Sequence, residues 1–571
     1  MSDVLSIKQN NPRKRVHVVS PPHTPAGPWQ ISVLVIAALV LLPVFSLIYL
    51  SFIPSENIWP HLFSTVLPGA VLETIWLMLG VGALTLVVGT STAWLVTMYR
   101  FPGRNILDWL LLIPLAMPTY IIAFCYVEIL DYSGTIQTFL REFFGWTSSR
   151  DYWFPQIRSQ GGAIFVMSFV LYPYVYLNAR ASFMLQSICT LEVARTLGRS
   201  PLGVFWSVAL PMARPALAAG VALALMECLN DIGAVRYLGV NTLTTTVYDT
   251  WLGKSNLAGA AQIACLMLVF VAILFSWERI ARKGQQYHST TGHYRNIPEE
   301  KLEGWKGWLT GLFCAMPVIL GFIAPITVLV QSSFVFAEDS LSGSYWKAAQ
   351  NSLTLSSITA VVAVIIALTL AYSRRVAPTA FVKPAYRITG FGYAIPGTVL
   401  AIGVFMPLAA FDNGVDGVMR EQFGVSTGLL LSGTMFALIL AYTIRFLAVS
   451  NGAIESGLKR ISVNLDSASR ALGETAFGTL WRVHLPLLRP ALGAAVLLVF
   501  VDTMKELPAT LLMKPFNFDT LATHVYNYAS AEEYGEAALP ALTIVIFGLA
   551  PVILLSKTIA TGRAGQRSSS S

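Results

Sequence analysis

The sequence predicts an all-α polytopic membrane protein with twelve transmembrane helices, arranged as two parallel six-helix repeats with both termini in the cytoplasm. Three observations predict this fold class. Hydrophobic residues make up 55% of the 571 residues and charged residues only 12%, whereas charged residues make up roughly 25% of a soluble domain. Twelve apolar stretches are long enough to cross a bilayer. Two polar segments repeat each other at a fixed displacement along the chain.

The predicted spans divide evenly between two halves of the chain. A polar cytoplasmic tail, 1–30, precedes a first apolar stretch that is longer than the core of a signal peptide and therefore predicts a retained helix. The first half is 31–285, a cytoplasmic linker is 286–307, the second half is 308–560, and a second cytoplasmic tail is 561–571. The predicted spans are roughly 31–52, 71–97, 106–130, 161–182, 215–234 and 258–277, then 308–332, 352–373, 386–410, 428–449, 490–508 and 538–556.

The distribution of basic residues predicts the orientation. Lysine and arginine are concentrated in the segments that face the cytoplasm if the N-terminus does, and Arg374, Arg375 and Arg445 are assigned to that side. Because cytoplasmic loops carry an excess of Lys and Arg, both termini are predicted to be cytoplasmic. Six spans per half is an even number, so the halves enter the membrane in the same direction. The net charge of +8 is explained by orientation, and without a long basic run no nucleic-acid partner is expected.

Two predicted cytoplasmic loops match when one is displaced by 275 positions, from 191 to 466. The first repeated loop, 191–217, reads LEVARTLGRSPLGVFWSVALPMARPAL, and the second, 466–492, reads DSASRALGETAFGTLWRVHLPLLRPAL. Each predicts a short helix that ends at a left-handed glycine, and then an N-cap at Ser200 or Thr475. The identical pairs are Arg195/Arg470, Leu197/Leu472, Gly198/Gly473, Gly203/Gly478, Trp206/Trp481, Val208/Val483, Leu210/Leu485, Pro211/Pro486, Arg214/Arg489, Pro215/Pro490, Ala216/Ala491 and Leu217/Leu492.

The first repeated loop, with Glu192-Val193-Ala194, Gly198 and Leu210-Pro211, resembles the EAA loop of permeases in binding-protein-dependent ABC importers. The resemblance implies a type I ABC importer permease in the bacterial inner membrane. It also implies that each loop docks on an ABC ATPase, two copies of which bind ATP and Mg²⁺. The second loop departs from the pattern, because Ser467-Ala468-Ser469 replaces Glu-Ala-Ala. The implied docking residues are Glu192, Ala194, Arg195, Gly198, Leu210 and Pro211, and Asp466, Ala468, Arg470, Gly473, Leu485 and Pro486.

Three further segments, 114–134, 229–251 and 504–530, look like the fused permeases of ferric-iron importers. This resemblance implies that ferric iron is the substrate and that a periplasmic binding protein delivers it. The outer loops available for that protein are 131–160, 235–257, 411–427 and 509–537. Permeases for thiamine, phosphonates or polyamines share the repeated loop and remain alternatives. An ion-coupled secondary transporter is an alternative of another class, because twelve spans in a six-plus-six repeat are common there.

Four acidic residues lie within the two predicted spans that follow the repeated loops. The displacement of 275 pairs Glu227 with Asp502 and Asp231 with Glu506. A spacing of four residues predicts that both acids of each half lie on one helical face. Carboxylates in spans usually face a cavity or a path, and their oxygens suit a hard cation, so these residues are predicted to line the translocation path. Asp231 and Glu506 are the predicted transient ligands of Fe³⁺.

A structural role for these acids stays open at this point. In that case they bind helix ends, each other or a nearby cation, and Lys505 and Arg236 are the candidates. Catalysis by this chain is not expected, because the sequence has no HExxH, no GxSxG and no Cys/His spacing typical of a metal site. The chain is therefore predicted to be a translocation subunit that binds no cofactor itself.

Overall fold

The computed structural model describes residues 27–53, 59–186, 193, 194, 196–282, 300–336, 341 and 343–561. Helices dominate the described chain. In the first half they are α1 (Pro28–Ser51), α2 (Trp59–Ser64), α3 (Leu67–Met98), α4 (Arg104–Leu110), α5 (Thr119–Leu130), α6 (Thr135–Phe144), α7 (Gln160–Leu185), α8 (Pro201–Val204), α9 (Leu210–Asn230), α10 (Gly233–Tyr237), α11 (Leu243–Tyr248) and α12 (Leu257–Arg282).

The second half repeats this order. Its helices are α13 (Trp305–Val318), α14 (Ala324–Val335), α15 (Gly343–Val376), α16 (Val382–Ile388), α17 (Gly397–Phe423), α18 (Met435–Lys459), α19 (Val463–Ala471), α20 (Ala476–Thr479), α21 (Leu485–Met504), α22 (Pro508–Met513), α23 (Leu521–Ser530) and α24 (Tyr534–Thr561). Short 3₁₀ segments are Ile113–Ala116 and Thr389–Ala394, and π segments are Phe205–Ala209, Asp249–Gly253, Ile319–Ile323 and Leu480–His484. Strands β1 (Tyr99–Arg100) and β2 (Glu300–Lys301) form a parallel pair.

The membrane-protein fold class is confirmed. Eleven helices among the described residues are long and apolar enough to cross a membrane, and a bent helix pair makes up to twelve. That pair, Arg104–Ala116 and Thr119–Phe144, bends by 96°. The predicted continuous span over 106–130 is therefore wrong. Pro118 stands at the bend, where it supplies no backbone N–H and disfavours a helical conformation at the preceding residue.

The predicted span over 386–410 is wrong for the same reason. Its helical structure is interrupted at Ile395-Pro396, and α17 begins only at Gly397. The predicted spans over 215–234 and 490–508 also have different limits. They belong to continuous helices, Pro201–Asn230 and Ala476–Met504, that begin and end earlier than predicted. Each includes a π segment just before its Leu-Pro pair, so the change in hydrogen-bond register accommodates the proline.

The first helices of each half pack against the other half. α1 packs against α15, α16 and α17 of the second half. α13, α14 and the π segment between them pack against α3, α4, α5 and α7 of the first half. Glycines allow the closest approaches. A Cβ at Gly403 would lie 2.4 Å from the carbonyl oxygen of Pro43, and one at Gly321 would lie 2.3 Å from that of Phe169. Glycine therefore lets the backbones of the two halves approach more closely than any larger residue would, and such close packing stabilises helix association in membranes.

Candidate functional site: a central carboxylate cavity and two repeated loops

The four acids predicted to line a path do share one cavity. Its volume is about 110 Å³, and it is lined from both halves by Glu227, Asp231, Asp502 and Glu506 together with further polar and apolar side chains. The cavity lies where four helices end or begin. α9 and α21 end beside it, and the breaks before α5 and α17 place two helix N-termini there, with Gly397 N donating a hydrogen bond to the lining residue Asn230.

The prediction that both acids of each half lie on one helical face is wrong, because the second acid of each pair is not in the helix. α9 ends at Asn230 and α21 ends at Met504, so Asp231 and Glu506 lie beyond the helices that carry Glu227 and Asp502. Asp231 occupies the C-cap position in an extended conformation. The turn of the chain, rather than the spacing of four, directs these two carboxylates to the cavity.

Asp231 and Glu506 both hold the N-termini of short helices. Asp231 Oδ1 accepts hydrogen bonds from the backbone N–H groups of Ala234, at 2.8 Å, and Val235, at 3.2 Å. Its Oδ2 accepts a hydrogen bond from the Thr119 hydroxyl. These contacts cap the first turn of α10, whose N–H groups lack partners within the helix.

In the second half, Glu506 has the equivalent role for α22. Glu506 Oε1 accepts from Ala509 N at 3.1 Å, and Oε2 accepts from Thr510 N at 3.3 Å and from the Thr510 hydroxyl at 3.1 Å. The predicted alternative that the acids bind helix ends is therefore realised for both residues. Each buried carboxylate gains partners that lower the cost of removing it from water.

Glu227 and Asp502 have different partners. Tyr393 of the second half donates a 2.6 Å hydrogen bond to Glu227 Oε1, which joins the halves across the cavity. Lys505 lies 2.9 Å from Asp502 Oδ1, as the alternative structural role predicts. The prediction that Arg236 is another partner of the acids is wrong. Arg236 forms an ion pair with Asp249 and lies over the Tyr248 ring, because α10 carries it away from the acids.

Arg445 is the cavity residue that the sequence analysis misplaced. It lies within α18, is 4% exposed and lines the cavity, so its assignment to the cytoplasmic side is wrong. Its Nη1 donates to Asn230 Oδ1 over 3.0 Å. The displacement of 275 pairs it with Val170 of the first half, so the repeat did not point to it. An arginine within an apolar stretch is a signal for a path or cavity.

The cavity does not contain a preformed metal cluster. Over the part of the chain that the structure describes, no group of three or more His, Cys, Asp or Glu side chains could hold a metal ion. Asp231 and Glu506 are committed to helix ends, and Glu227 and Asp502 to a tyrosine and a lysine. Four acids and two cations, Arg445 and Lys505, nevertheless give this small space an excess of negative charge.

The repeated loops follow the predicted helix–turn–helix arrangement. Gly198 and Gly473 have φ values of 81° and 86°, in the left-handed region that favours glycine. The Ser200 hydroxyl accepts from Gly203 N at 3.1 Å, and the Thr475 hydroxyl accepts from Gly478 N at 3.0 Å. Both predicted N-caps are therefore confirmed. Glu192 and Arg195 lie outside the described residues.

Both loops expose apolar side chains at matched positions. Trp206 and Trp481 are 66% and 63% exposed, and two further matched pairs are exposed as well. Those pairs are Leu197 with Leu472 and Leu202 with Phe477. Exposed apolar patches of this kind mark interaction surfaces. Ala468 and Arg470 are exposed, Ala194 is buried, Leu210, Pro211 and Leu485 are half-buried, and Pro486 is exposed.

Asp466 is buried in the second loop and does not face outward. Its carboxylate binds Arg375 of α15 and the ring of His484. Although burial alone would raise the pKa of Asp466, the hydrogen bonds from Arg375 and His484 hold this pKa below its usual value. The residue therefore has an internal bracing role in the second loop.

The helices Pro201–Asn230 and Ala476–Met504 link the loops to the cavity. Each runs from a repeated loop at its N-terminal end to the acids at its C-terminal end. At about 1.5 Å per residue, the distance between the two is about 40 Å. One continuous helix therefore connects each loop to the cavity.

Comparison with known proteins gives a family and several relatives. The family described as binding-protein-dependent transport system inner membrane component matches residues 85–285. A Fe(3+)-transport system permease protein of Haemophilus influenzae is 27% identical over 84% of this chain and 87% of its own length. A ferric transport system permease protein of Actinobacillus pleuropneumoniae is 21% identical over 77% of this chain and 64% of its own length.

A third relative matches a little over a third of the chain. It is a permease protein of Salmonella choleraesuis named for 2-aminoethylphosphonate transport, 30% identical over 37% of this chain and 74% of its own length. The two ferric relatives extend over both halves, whereas this one has the length of a single half.

Proposed function

The chain belongs to the binding-protein-dependent transport system inner membrane components, and on that premise we propose that it is the permease of an ATP-driven ferric-iron importer. It is a multi-pass protein of the inner membrane. Ferric iron is the proposed substrate because relatives that extend over both halves are named for it. A periplasmic binding protein delivers the iron, and a separate ATPase hydrolyses ATP.

The observation that carries this proposal is the duplication of the repeated loop in three dimensions. Both copies have the same glycine turn, the same N-cap and the same exposed Leu and Trp side chains. Two equivalent surfaces suit two copies of one partner. We propose that one ATPase subunit, with its own ATP and Mg²⁺, docks on each loop.

In the proposed mechanism, this chain catalyses no reaction, and its role is to change the access to the central cavity. When the two ATPase subunits close, they displace the loops, and the helices Pro201–Asn230 and Ala476–Met504 transmit that motion to the acids. The contact between Tyr393 and Glu227 joins the halves at the cavity. Alternating access follows if this contact breaks as the halves separate, and binding of the cation then favours one arrangement over the other.

The excess of carboxylates supports a cation as the substrate. Ferric ion is a hard cation that prefers oxygen ligands, and Glu227, Asp231, Asp502 and Glu506 offer these from both halves. Because these oxygens already have hydrogen-bond partners, binding would be weak and transient. Weak binding suits a path, since an ion that binds too tightly does not leave.

Docking is tested with the exposed tryptophans. In the double variant Trp206→Glu and Trp481→Glu, we expect the purified permease to lose ATPase binding at least tenfold, because buried apolar contacts are replaced by charge. Trp153→Glu, in an outer loop and also exposed, is the matched control and should bind normally. Normal binding by the double variant would refute docking at these loops.

The substrate is tested with the whole complex in proteoliposomes. Ferric iron bound to the cognate binding protein should stimulate ATP hydrolysis and drive iron uptake. If a binding protein loaded with thiamine, phosphonate or polyamine stimulates ATP hydrolysis and one loaded with iron does not, that compound and not iron is the substrate. Uptake by this chain without any ATPase would instead indicate an ion-coupled secondary transporter.

Phosphonate transport is the second candidate with a specific observation behind it. One relative is named for 2-aminoethylphosphonate transport, and Arg445 and Lys505 place two cations in the cavity. Both cations have polar partners, with Arg445 bound to Asn230 and Lys505 to Asp502. The surplus of carboxylates over cations therefore favours iron over an anionic substrate.

A further inference from the structure

A cationic cavity lies beside the second repeated loop, apart from the central cavity. Its volume is about 270 Å³, and its basic lining residues are Arg374 at the end of α15 and Lys383 and Arg387 on α16. Its acidic lining residue is Glu455 of α18. Arg375, the neighbour of Arg374, binds Asp466 of the second loop, so this cavity lies beside a loop that is predicted to be cytoplasmic.

The charge of Glu455 is already matched within the protein. Glu455 binds Arg374 at 3.0 Å and Lys459 at 2.8 Å, and it accepts a 2.7 Å hydrogen bond from Tyr386. The side chains of Lys383 and Arg387 have no hydrogen-bond or ion-pair partner anywhere in the described ranges. They are four residues apart on one short helix and hence on the same face. Two basic side chains are therefore left to bind an anion.

An apolar cavity of similar size, about 270 Å³, adjoins the cationic one. The two share Gly390 and Ala448 in their linings. The apolar cavity lies between the halves, with Leu223 and Phe275 of the first half in its wall, and Glu278 is its charged lining residue. A Cβ at Gly390 would meet nothing within 4 Å, so the junction between the two cavities is open.

We propose that these two cavities together bind one anionic phospholipid. Lys383 and Arg387 hold its phosphate, and the apolar cavity between the halves takes an acyl chain. The charge and the apolar space argue for this occupant together. A free anion has no use for the apolar cavity, a metal cation is repelled by the two unmatched basic groups, and basic pockets between transmembrane helices at the cytoplasmic side suit anionic headgroups.

The location gives this lipid an effect on transport. Arg374, which lines the cationic cavity, is the neighbour of Arg375, and Arg375 braces the second repeated loop. The acyl chain of the lipid lies between halves that must separate. The bound lipid therefore stabilises the arrangement of the halves seen here. Membranes rich in anionic lipid should slow the basal ATPase cycle of the complex.

The test measures lipid bound to the full-length permease by native mass spectrometry. Wild type should retain phosphatidylglycerol in preference to phosphatidylcholine. The double variant Lys383→Gln and Arg387→Gln should bind phosphatidylglycerol about 25-fold more weakly, since each basic group near a membrane surface contributes about fivefold. Lys254→Gln with Lys347→Gln removes two exposed lysines elsewhere and should change nothing.

A steric variant separates the lipid from a free anion. Gly390→Leu keeps every charge and fills the junction, so it should weaken phosphatidylglycerol binding while the basic groups remain. Equal retention of phosphatidylcholine and phosphatidylglycerol by wild type would overturn the proposal. Displacement of the lipid by millimolar inorganic phosphate, or unchanged lipid binding in both variants, would overturn it as well.

Discussion

Arg375 Nη2 donates a 2.5 Å hydrogen bond to Asp466 Oδ2, and this contact fastens the end of α15 to the second repeated loop. The same guanidinium donates to the backbone carbonyl oxygens of Leu458, at 2.7 Å, and Ile461, at 3.0 Å. His484 binds the other carboxylate oxygen of Asp466 at 2.7 Å. Through Arg375 and His484, one buried carboxylate thus connects the second loop with α15, the end of α18 and the π segment.

Asp466→Asn should loosen the second loop without unfolding the protein. The substitution removes the charge that Arg375 binds, and a hydrogen bond to a charged group contributes about 2 kcal/mol. Hydrogen exchange at 463–472 should therefore become about 30-fold faster. Exchange in the first repeated loop is the internal control and should not change. Unaltered exchange at 463–472 would mean that Asp466 does not brace the loop.

The protection of this loop should depend on pH in a defined direction. The folded pKa of Asp466 is below its usual value, with hydrogen bonds from Arg375 and His484 outweighing burial. A lowered pKa gives stability that is complete above the unfolded pKa, about 3.9, and is lost as the pH falls through the folded pKa. Exchange at 463–472, corrected for its intrinsic rate, should therefore stay constant from pH 8 to 5 and rise below pH 4. In Asp466→Asn this rise should be absent.

The glycine turns of the repeated loops were predictable from sequence, because their requirement is local. A left-handed residue after a short helix calls for glycine, and a Ser or Thr two residues later marks the next N-cap, so Gly198 and Gly473 could be interpreted without tertiary information. Duplication made the pattern stronger, since the same residues recur after 275 positions.

The cavity was less predictable, because its geometry depends on where helices stop. Nothing in the apolar pattern distinguishes a helix that continues past Asn230 from one that ends there, and the spacing of Glu227 and Asp231 suggested continuation. The apolar segments before and after Pro118 are adjacent in the sequence, so the pattern predicted one continuous span and hid the break between them. Tyr393 and Tyr174 line the cavity, but the displacement of 275 matches them with Pro118 and Val449, so symmetry did not point to them.

Gly198→Ala together with Gly473→Ala should weaken coupling by straining both turns. Alanine in the left-handed region costs about 1 kcal/mol at each site, and no atom lies within 4 Å of a Cβ at either glycine, so backbone strain is the sole expected cause. We expect ATPase binding to fall about fivefold in a pull-down titration. Gly493→Ala, which also has open space around it but lies within α21, is the matched control. Equal binding by all three proteins would show that the turns tolerate a side chain and do not set the docking geometry.

Glu506 caps α22 and also contributes a negative charge to the cavity, and two variants can separate these roles. Glu506→Ala removes both and should cost about 1 kcal/mol of stability, as the loss of a helix cap does. Glu506→Gln keeps one acceptor oxygen for the N–H groups of Ala509 and Thr510 but loses the charge. If the charge serves the passage of a cation, both variants should abolish iron uptake while still binding the ATPase, and only the alanine variant should melt at a lower temperature.

The matched control is Glu303→Gln, an exposed acid before α13, which should transport normally. Uptake is measured in proteoliposomes with the complete complex, and stability by thermal melting of the permease. Normal uptake by Glu506→Gln, with a defect in the alanine variant alone, would make Glu506 a helix cap and remove it from the path. The two remaining acids that cap no helix, Glu227 and Asp502, would then be the carboxylates to test, since their partners are a tyrosine and a lysine that a passing cation can displace.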